Sequence, residues 1–324
     1  MFMRQLGFDV DGREDTVKEG DTRCFGKHTV TFLMAQMVHW PEAMVTFDTT
    51  NGVLFSADAF GSFGSLDGRL FDDEVNFDRD WIDNARRYFT NIVGKYGPFV
   101  QQLLAKAKTA PIKMFCPLHG PVWRTNLGYY LDKHDKWSRY IPEENGVMIV
   151  YASMYGNTES AARHWQRSCV KRRYQCESIR CVKDPCILSG GRSFKYSHIV
   201  LASVTYNLNI YPVMEDFLHH LKVLNLSKRV FGIIENGSWA IKSGSLMEQY
   251  IDENLKDCKI LNARMTINSS ANRSNASELD ALSDAIVKSV AIEEKAFEQR
   301  VIDDAAFAEE EARKAAFKKL SAKE

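Results

Sequence analysis

The sequence predicts two α/β domains in tandem, the second of them a doubly wound parallel sheet. Three observations carry this expectation. The chain has 324 residues, enough for two domains at roughly 150 residues each. A polar segment from Arg139 to Gly146, interrupted by Pro142 and ended by glycine, separates a β-rich front part from a second half of longer apolar runs. In that second half, Val147 to Ala152, His198 to Val204 and Arg229 to Ile234 are separated by helical stretches. That is the pattern of β-α-β units whose strands are buried on both faces.

Composition narrows the function. Lys+Arg 42 and Asp+Glu 42 cancel to a formal charge of zero, so no global field recruits nucleic acid and partners must be recognised locally. Hydrophobic residues at 45% and charged residues at 26% are ordinary globular values. The run Val147 to Ala152 is far too short to span a bilayer, so no membrane partner is expected. Arg4, Asp9, Asp11, Arg13, Glu14 and Asp15 interrupt any apolar signal core, and a cytoplasmic location is expected. Seven cysteines with no Cys-x-x-Cys spacing indicate reduced thiols. Cys169, Cys176, Cys181 and Cys186 lie close in sequence, and they are read as thiols of a surface helix and loop rather than cluster ligands.

In chain order, strands are expected at His28 to Ala35, Met44 to Asp48 and Val53 to Ala57, with Asn51-Gly52 as a hairpin turn. From Asp80, the residues Trp81, Ala85, Tyr88, Ile92 and Val93 recur at helical spacing. Gly94 and Gly97 are expected to break that helix before Val100 to Ala107 resumes it. A helix from Arg163 to Cys181 is basic (Arg167, Lys171, Arg172, Arg173, Arg180) with few apolar positions, which predicts poor packing on the sheet. After Ile292, the residues Phe297, Val301, Ala305, Ala308, Ala312 and Ala316 recur every three to four positions, predicting one long terminal helix.

Ligands of a parallel sheet bind outside the carboxyl ends of its strands, so the loops after the apolar runs are the candidate site. The first is Ser153, Met154, Tyr155, Gly156, Asn157 and Thr158, leaving a strand and opening a helix. Hydroxyls, a glycine and free N–H groups at a helix start can wrap a phosphate without a lysine. No P-loop lysine and no Gly-x-Gly-x-x-Gly are present there. The second loop runs from Ser203 and Val204 through Thr205, Tyr206, Asn207, Leu208 and Asn209; the third is Glu235, Asn236, Gly237, Ser238, Trp239 and Ala240. Both offer hydroxyl, amide and aromatic groups suited to the edge and face of a flat ring. This half resembles a flavodoxin domain. The resemblance implies FMN, with its phosphate in the first loop and its isoalloxazine ring between the other two.

Upstream, His39 lies in Met37-Val38-His39-Trp40-Pro41-Glu42-Ala43-Met44, Asp58 in Ser56-Ala57-Asp58-Ala59-Phe60-Gly61, and His119 in Pro117-Leu118-His119-Gly120-Pro121-Val122-Trp123. Two histidines and a carboxylate suit non-haem iron. Spacings of 19 and 61 residues form no local motif, so from residue types alone each histidine reads as a structural residue rather than a ligand. The wording of these segments, with Arg86 to Gly97 and Tyr129 to Tyr140, resembles the flavodiiron proteins from about Met3 to Val290.

That resemblance implies the C-terminal part of a metallo-β-lactamase-like diiron domain over 1–143, a flavodoxin-like FMN domain over 144–290 and a terminal helix over 291–324. It makes His39 a ligand of the iron nearer the flavin, Asp58 the bridging carboxylate and His119 a ligand of the farther iron. It implies a head-to-tail homodimer or tetramer that reduces dioxygen to water or nitric oxide to nitrous oxide. The family's upstream His-x-Glu-x-Asp-His run has no counterpart, the first histidine being His28. The expectation is therefore an incomplete diiron site and an internal start in a longer or truncated gene. No Cys-x-x-Cys is present after the flavodoxin-like region, so a separate rubredoxin or flavin reductase is the expected donor. The alternative is an FMN-binding electron carrier without a functional metal site. A zinc hydrolase ranks last, because it needs the same missing run and leaves the three loops unexplained.

Overall fold

Alternating β-branched and aromatic residues near the start of the chain form a twisted antiparallel sheet closed by one parallel strand. The structure is a computed structural model describing residues 2–171, 176–180, 186–293 and 295. It divides into two units, Met1–Arg139 and Tyr140–Glu324.

In the first unit, β1 (Thr22–Phe25), β2 (His28–Met34), β3 (Met44–Asp48), β4 (Val53–Ala57) and β5 (Met114–Pro117) lie in sequence order across the sheet. Successive pairs are antiparallel except β4 and β5, which run parallel. Asn51-Gly52 makes the expected turn, with Gly52 at φ 74° and its N–H donating to the Asp48 carbonyl at 2.9 Å. The helices are α1 (Phe2–Gln5), α2 (Phe77–Asp80), α3 (Ile82–Ile92), α4 (Gly97–Thr109) and α5 (Leu127–Ser138). One expectation is corrected here. Gly97 opens α4 instead of breaking a helix, because Pro98 occupies the first turn, where its missing N–H costs nothing. Ala85, Tyr88 and Phe89 of α3 and Val100, Leu103 and Leu104 of α4 bury the faces that the periodicity marked.

The second unit orders its strands β11-β10-β8-β6-β7, all parallel: β6 (Glu144–Ala152), β7 (Cys176–Arg180), β8 (Tyr196–Tyr206), β10 (Val230–Gly237) and β11 (Lys259–Asn268). A short β9 (Asn209–Ile210) folds back antiparallel on β8. The connecting helices are α6 (Asn157–Lys171), α7 (Cys186–Ser193), α8 (Pro212–Val223), α9 (Ser243–Asn254) and α10 (276–293).

Two further expectations are corrected in this unit. The single helix from Arg163 to Cys181 is replaced by α6, whose helical residues extend to Lys171, and by β7, which holds Arg180 and pairs with β6. Nor does α6 pack poorly: Ala161, Ala162, Trp165 and Cys169 are at most 1% exposed and join Val147, Ile149, Leu282 and Ile286 in one core. Two alanines let the helix approach the sheet and one tryptophan supplies the buried area, so few apolar positions suffice. The run at 229–234 also begins unexpectedly. Arg229 is 1% exposed and donates to the carbonyls of Ser193, Tyr140, Ser227 and Phe194 at 2.8–3.1 Å. Burial pulls its guanidinium down to about 10, still charged at neutral pH.

Cys169 is a buried core residue. Cys181, the side chains of Cys176 and Cys186, and the residues Arg172 and Arg173 lie outside the described set, as does the stripe from Phe297 to Ala316. Among the described residues, no helix is long and apolar enough to cross a membrane.

Candidate functional site

Parallel register levels the carboxyl ends of the three central strands of the second unit. Ala152 of β6 pairs with Ser203 of β8, and Val204 of β8 pairs with Asn236 of β10. The three loops singled out in the sequence therefore leave the same edge of the sheet, as strand polarity requires. In the first, the Gly156 N–H donates to Ser153 Oγ at 3.1 Å, and Gly156 adopts φ 89°, a conformation that suits glycine. The 15-residue helix α6 begins at Asn157, so its first N–H groups face that loop with no intrahelical acceptor.

The second loop is a two-residue hairpin turn, Asn207 at φ 50° and Leu208 at φ 62°, both left-handed. A leucine held there, half exposed, is strained in a way that ordinary turns avoid. The third loop folds back so tightly that a Cβ at Gly237 would overlap the Ala240 carbonyl oxygen. The loops are tied together. Thr205 Oγ1 accepts from the N–H groups of Lys242 and Ser243 at 2.9 and 3.1 Å, and Ser243 Oγ donates to the Ser203 carbonyl at 2.9 Å. Asn236 Nδ2 donates to Thr158 Oγ1 at 3.1 Å, joining third loop to first.

Sequence reasoning misses the anchor beneath the third loop. The Glu235 carboxylate, nearly buried, accepts from Gly244 N–H and Thr266 Oγ1 at 3.0 Å each and pairs with Arg264 at 3.2 Å. Arg264 also pairs with Glu248. An isolated glutamate at the end of an apolar run is the available signal, since a buried carboxylate requires partners.

These loops suit a flat phosphorylated ring. Tyr155 and Trp239 are 87% and 81% exposed at the tips, while the Asn236 Oδ1 atom is buried with no partner among the described residues. Exposed aromatics at the loop tips can stack on the face of a flat ring, and free helix N–H groups can meet its phosphate. The residues present fit FMN.

The first unit gathers a second constellation. β2, β4 and β5 all run in one direction, since β2 and β4 are each antiparallel to β3, and His39, Asp58 and His119 each follow the carboxyl end of one of these strands. His39 Nε2 lies 3.3 Å from Asp58 Oδ2, and His119 Nε2 lies 3.4 Å from Asp58 Oδ1, so the carboxylate sits between two imidazoles. Left-handed φ values at Met37, Ala57 and Phe60, of 59°, 49° and 63°, flank His39 and Asp58. His119 is held by its carbonyl, which accepts from Ser62 N–H at 3.1 Å; Gly120 beside it, at φ 83°, leaves no room for a Cβ against Ser62.

Helical spacing marks Tyr88 only as a core position. Its hydroxyl donates to Asp58 Oδ1 at 3.5 Å, and burial, together with the Asp58 charge, raises that hydroxyl far above the ordinary tyrosine range. It is a neutral donor, not a phenolate. A cavity of about 10 Å³, lined by Asp58, Tyr88, Phe60, Phe89 and His134, adjoins the carboxylate. His134 is neutral: burial pushes it down to about 4, and its Nδ1 bonds the Tyr130 carbonyl at 3.0 Å.

Two irons bridged by Asp58 would each receive one imidazole and one oxygen. That is fewer donors than hold a divalent ion against water. Among the described residues, no group of three or more His, Cys, Asp or Glu could hold a metal ion. These residues alone do not fit a complete two-iron centre.

Residues 1–120 match the family described as ODP family beta lactamase. The chain is 28% identical over 246 residues to the rubredoxin-oxygen oxidoreductase of Megalodesulfovibrio gigas, covering 72% of this chain and 59% of that protein. It is 35% identical over 150 residues to the anaerobic nitric oxide reductase flavorubredoxin of Vibrio vulnificus, covering 45% of this chain and 30% of that one. The solved rubredoxin oxygen:oxidoreductase of Desulfovibrio gigas superposes with a TM-score of 0.81 at 22% identity, covering 90% of this chain and 72% of the other. The chain is thus similar in sequence to a rubredoxin-oxygen oxidoreductase and in fold to flavodiiron proteins. The flavodiiron protein of Giardia intestinalis shares the fold, with a TM-score of 0.78 at 21% identity over 86% of this chain and 68% of its own. A metallo-β-lactamase-like unit followed by a flavodoxin-like unit is thus the architecture of this polypeptide. The chain spans well under two thirds of the length of the two curated relatives named here.

Proposed function

We propose that this polypeptide is an FMN-dependent oxidoreductase of flavodiiron type. It takes electrons from a rubredoxin-like protein or a flavin reductase and delivers them to dioxygen or nitric oxide. The observation that carries the flavin half is the level register of the three loops together with the exposed Tyr155 and Trp239 rings at their tips. In this reading Ser153, Met154, Tyr155, Gly156, Asn157 and Thr158 hold the phosphate. Thr205 to Asn209 line one edge of the ring, and Asn236 to Ala240 the other. Bound there, FMN supplies a centre that accepts electrons in pairs and releases them singly. The protein's own part is to orient the ring, to meet the phosphate with helix N–H groups, and to keep the Asn236 amide in place through Thr158. The donors and acceptors follow the names of the relatives, rubredoxin-oxygen oxidoreductase and nitric oxide reductase.

His39, Asp58 and His119 are the proposed remnant of the metal half, and a working centre needs donors beyond these three. The other reading is an FMN electron carrier with no gas chemistry. Loading the purified chain with FMN and iron and counting metal per flavin separates the two: near-zero iron at full FMN selects the carrier. The flavin itself is tested by absorbance. One yellow chromophore per chain is expected, weakened about thirtyfold by Asn157→Asp, which sets a negative charge near the phosphate. A colourless reconstituted protein, or undiminished retention by the variant, contradicts the loop assignment.

A further inference from the structure

We propose that the cleft between α6 and α10 in the second unit is a binding site for a phosphate-bearing small molecule of nucleotide size, separate from the flavin loops. The cleft encloses about 660 Å³, within the range of small-molecule sites. Its floor is the top of the core, Ala161, Met265 and Leu279, and its rim carries His164, Arg167, Lys171 and Arg273, with Asp280 as the acidic side chain. Ser160 and Ser168 add hydroxyls.

The charge arrangement is what asks for a ligand. His164, Arg167 and Lys171 recur three and four residues apart on α6, one above the other on a helix face. Like charges at that spacing destabilise a helix and are ordinarily relieved by carboxylates. Arg163, on the same helix, is relieved in that way, pairing with Glu159 at 2.9 Å. Arg167, Lys171 and Arg273 make no ion pair or side-chain hydrogen bond with a described residue. Three cations without an ion-pair partner among the described residues, lining a cleft with an apolar floor, match a ligand with several negative charges at one end and a flat or aliphatic body at the other. A nucleoside polyphosphate has that chemistry, and the zero net charge of the chain makes the local concentration of cations more telling.

ATP is the probe, titrated by calorimetry at low ionic strength into the full chain previously saturated with FMN. The expected result is ATP binding that weakens about tenfold in the double variant Arg167→Gln, Arg273→Gln and is lost in Ala276→Trp, which fills the cleft. AMP should bind more weakly than ATP, and Arg163→Gln should leave the affinity unchanged. Thermal midpoints measured alongside must stay level, so that lost binding is not lost folding. No ATP binding at millimolar concentration overturns the proposal, as does an equal loss in Arg163→Gln. Release of FMN by ATP would place the probe in the flavin loops and overturn it too. Tighter binding of a 20-nucleotide single strand than of ATP would make the cleft a polymer groove and equally defeat it. If the chain takes up no flavin, the same titration is run with Asn157→Asp, so failure of the flavin reading leaves this test intact.

Discussion

In the second unit the candidate ligand groups come from the loops that follow β6, β8 and β10, neighbouring strands of one sheet, whereas in the first unit two histidines, 19 and 61 residues from Asp58, meet at its carboxylate. The proposed flavin loops are built largely of backbone. Helix N–H groups, left-handed turns at Asn207 and Leu208 and the tight fold at Gly237 do most of the shaping, and neighbouring loops tie each other down. The imidazole–carboxylate set depends on side-chain identity at single positions, and every donor absent from it is a large fraction of the whole. A backbone site degrades gradually, while a site of discrete ligands fails with its first missing member.

Four perturbations press on that difference. The largest effect is expected from Arg229→Met, which leaves the carbonyls of Ser193, Phe194, Tyr140 and Ser227 without their donor. A loss of about 4 kcal/mol in denaturant unfolding is expected, with flavin affinity falling alongside. A variant as stable as the wild type would show that the clamp is dispensable.

Gly237→Ala comes next. Its Cβ overlaps the Ala240 carbonyl, so the third loop must open, at about 2 kcal/mol in flavin affinity with unchanged far-ultraviolet dichroism. Unaltered flavin binding would mean that this loop does not touch the ring.

The third test is pH. His198 is buried between Ser197 Oγ at 2.7 Å and Ser289 Oγ at 2.9 Å, and burial lowers it to about 4, with Glu293 opposing and Arg229 and Lys259 adding to the shift. The unfolded chain takes up its proton near pH 6.5 while the folded chain resists until about 4. The unfolded state thus binds more protons in that window, and stability is full above it and lost as pH falls through it. About 2 kcal/mol should disappear between pH 6.5 and 4, and His198→Asn should flatten that part of the slope. A wild-type profile level across this range would contradict the assignment.

The smallest effect is expected at the incomplete set. Asp58→Asn replaces the carboxylate that lies between His39 and His119, and flavin affinity should shift by less than about 0.5 kcal/mol in an equilibrium titration. A large loss of flavin would deny the independence of the two constellations.

Much of this molecule is legible in its sequence. The hairpin at Asn51-Gly52, the strands on either side of it, and the buried parallel strands around Val147, Val200 and Ile233 arise from periodicity and turn chemistry, which act locally. So does the placement of the three candidate loops, because a parallel sheet has one carboxyl edge. The features that elude the sequence are non-local. Strand β7 is hidden inside a basic run, and β11 carries no signal that announces it. Tyr88 looks like core until its hydroxyl is found on Asp58, and Glu235 looks like loop until Gly244, Thr266 and Arg264 close on it.

Residue order alone therefore determined the two-part α/β architecture and the polar, glycine-bearing loops that point to a flavin, since both arise from interactions a few residues long. Packing determined that a basic helix with two alanines and a tryptophan could sit flat on its sheet. It also set His39 and His119 within 3.4 Å of the two oxygens of Asp58. Those outcomes depend on which distant strands lie side by side, and burial energy over the whole fold sets that choice, with no local preference strong enough to reveal it.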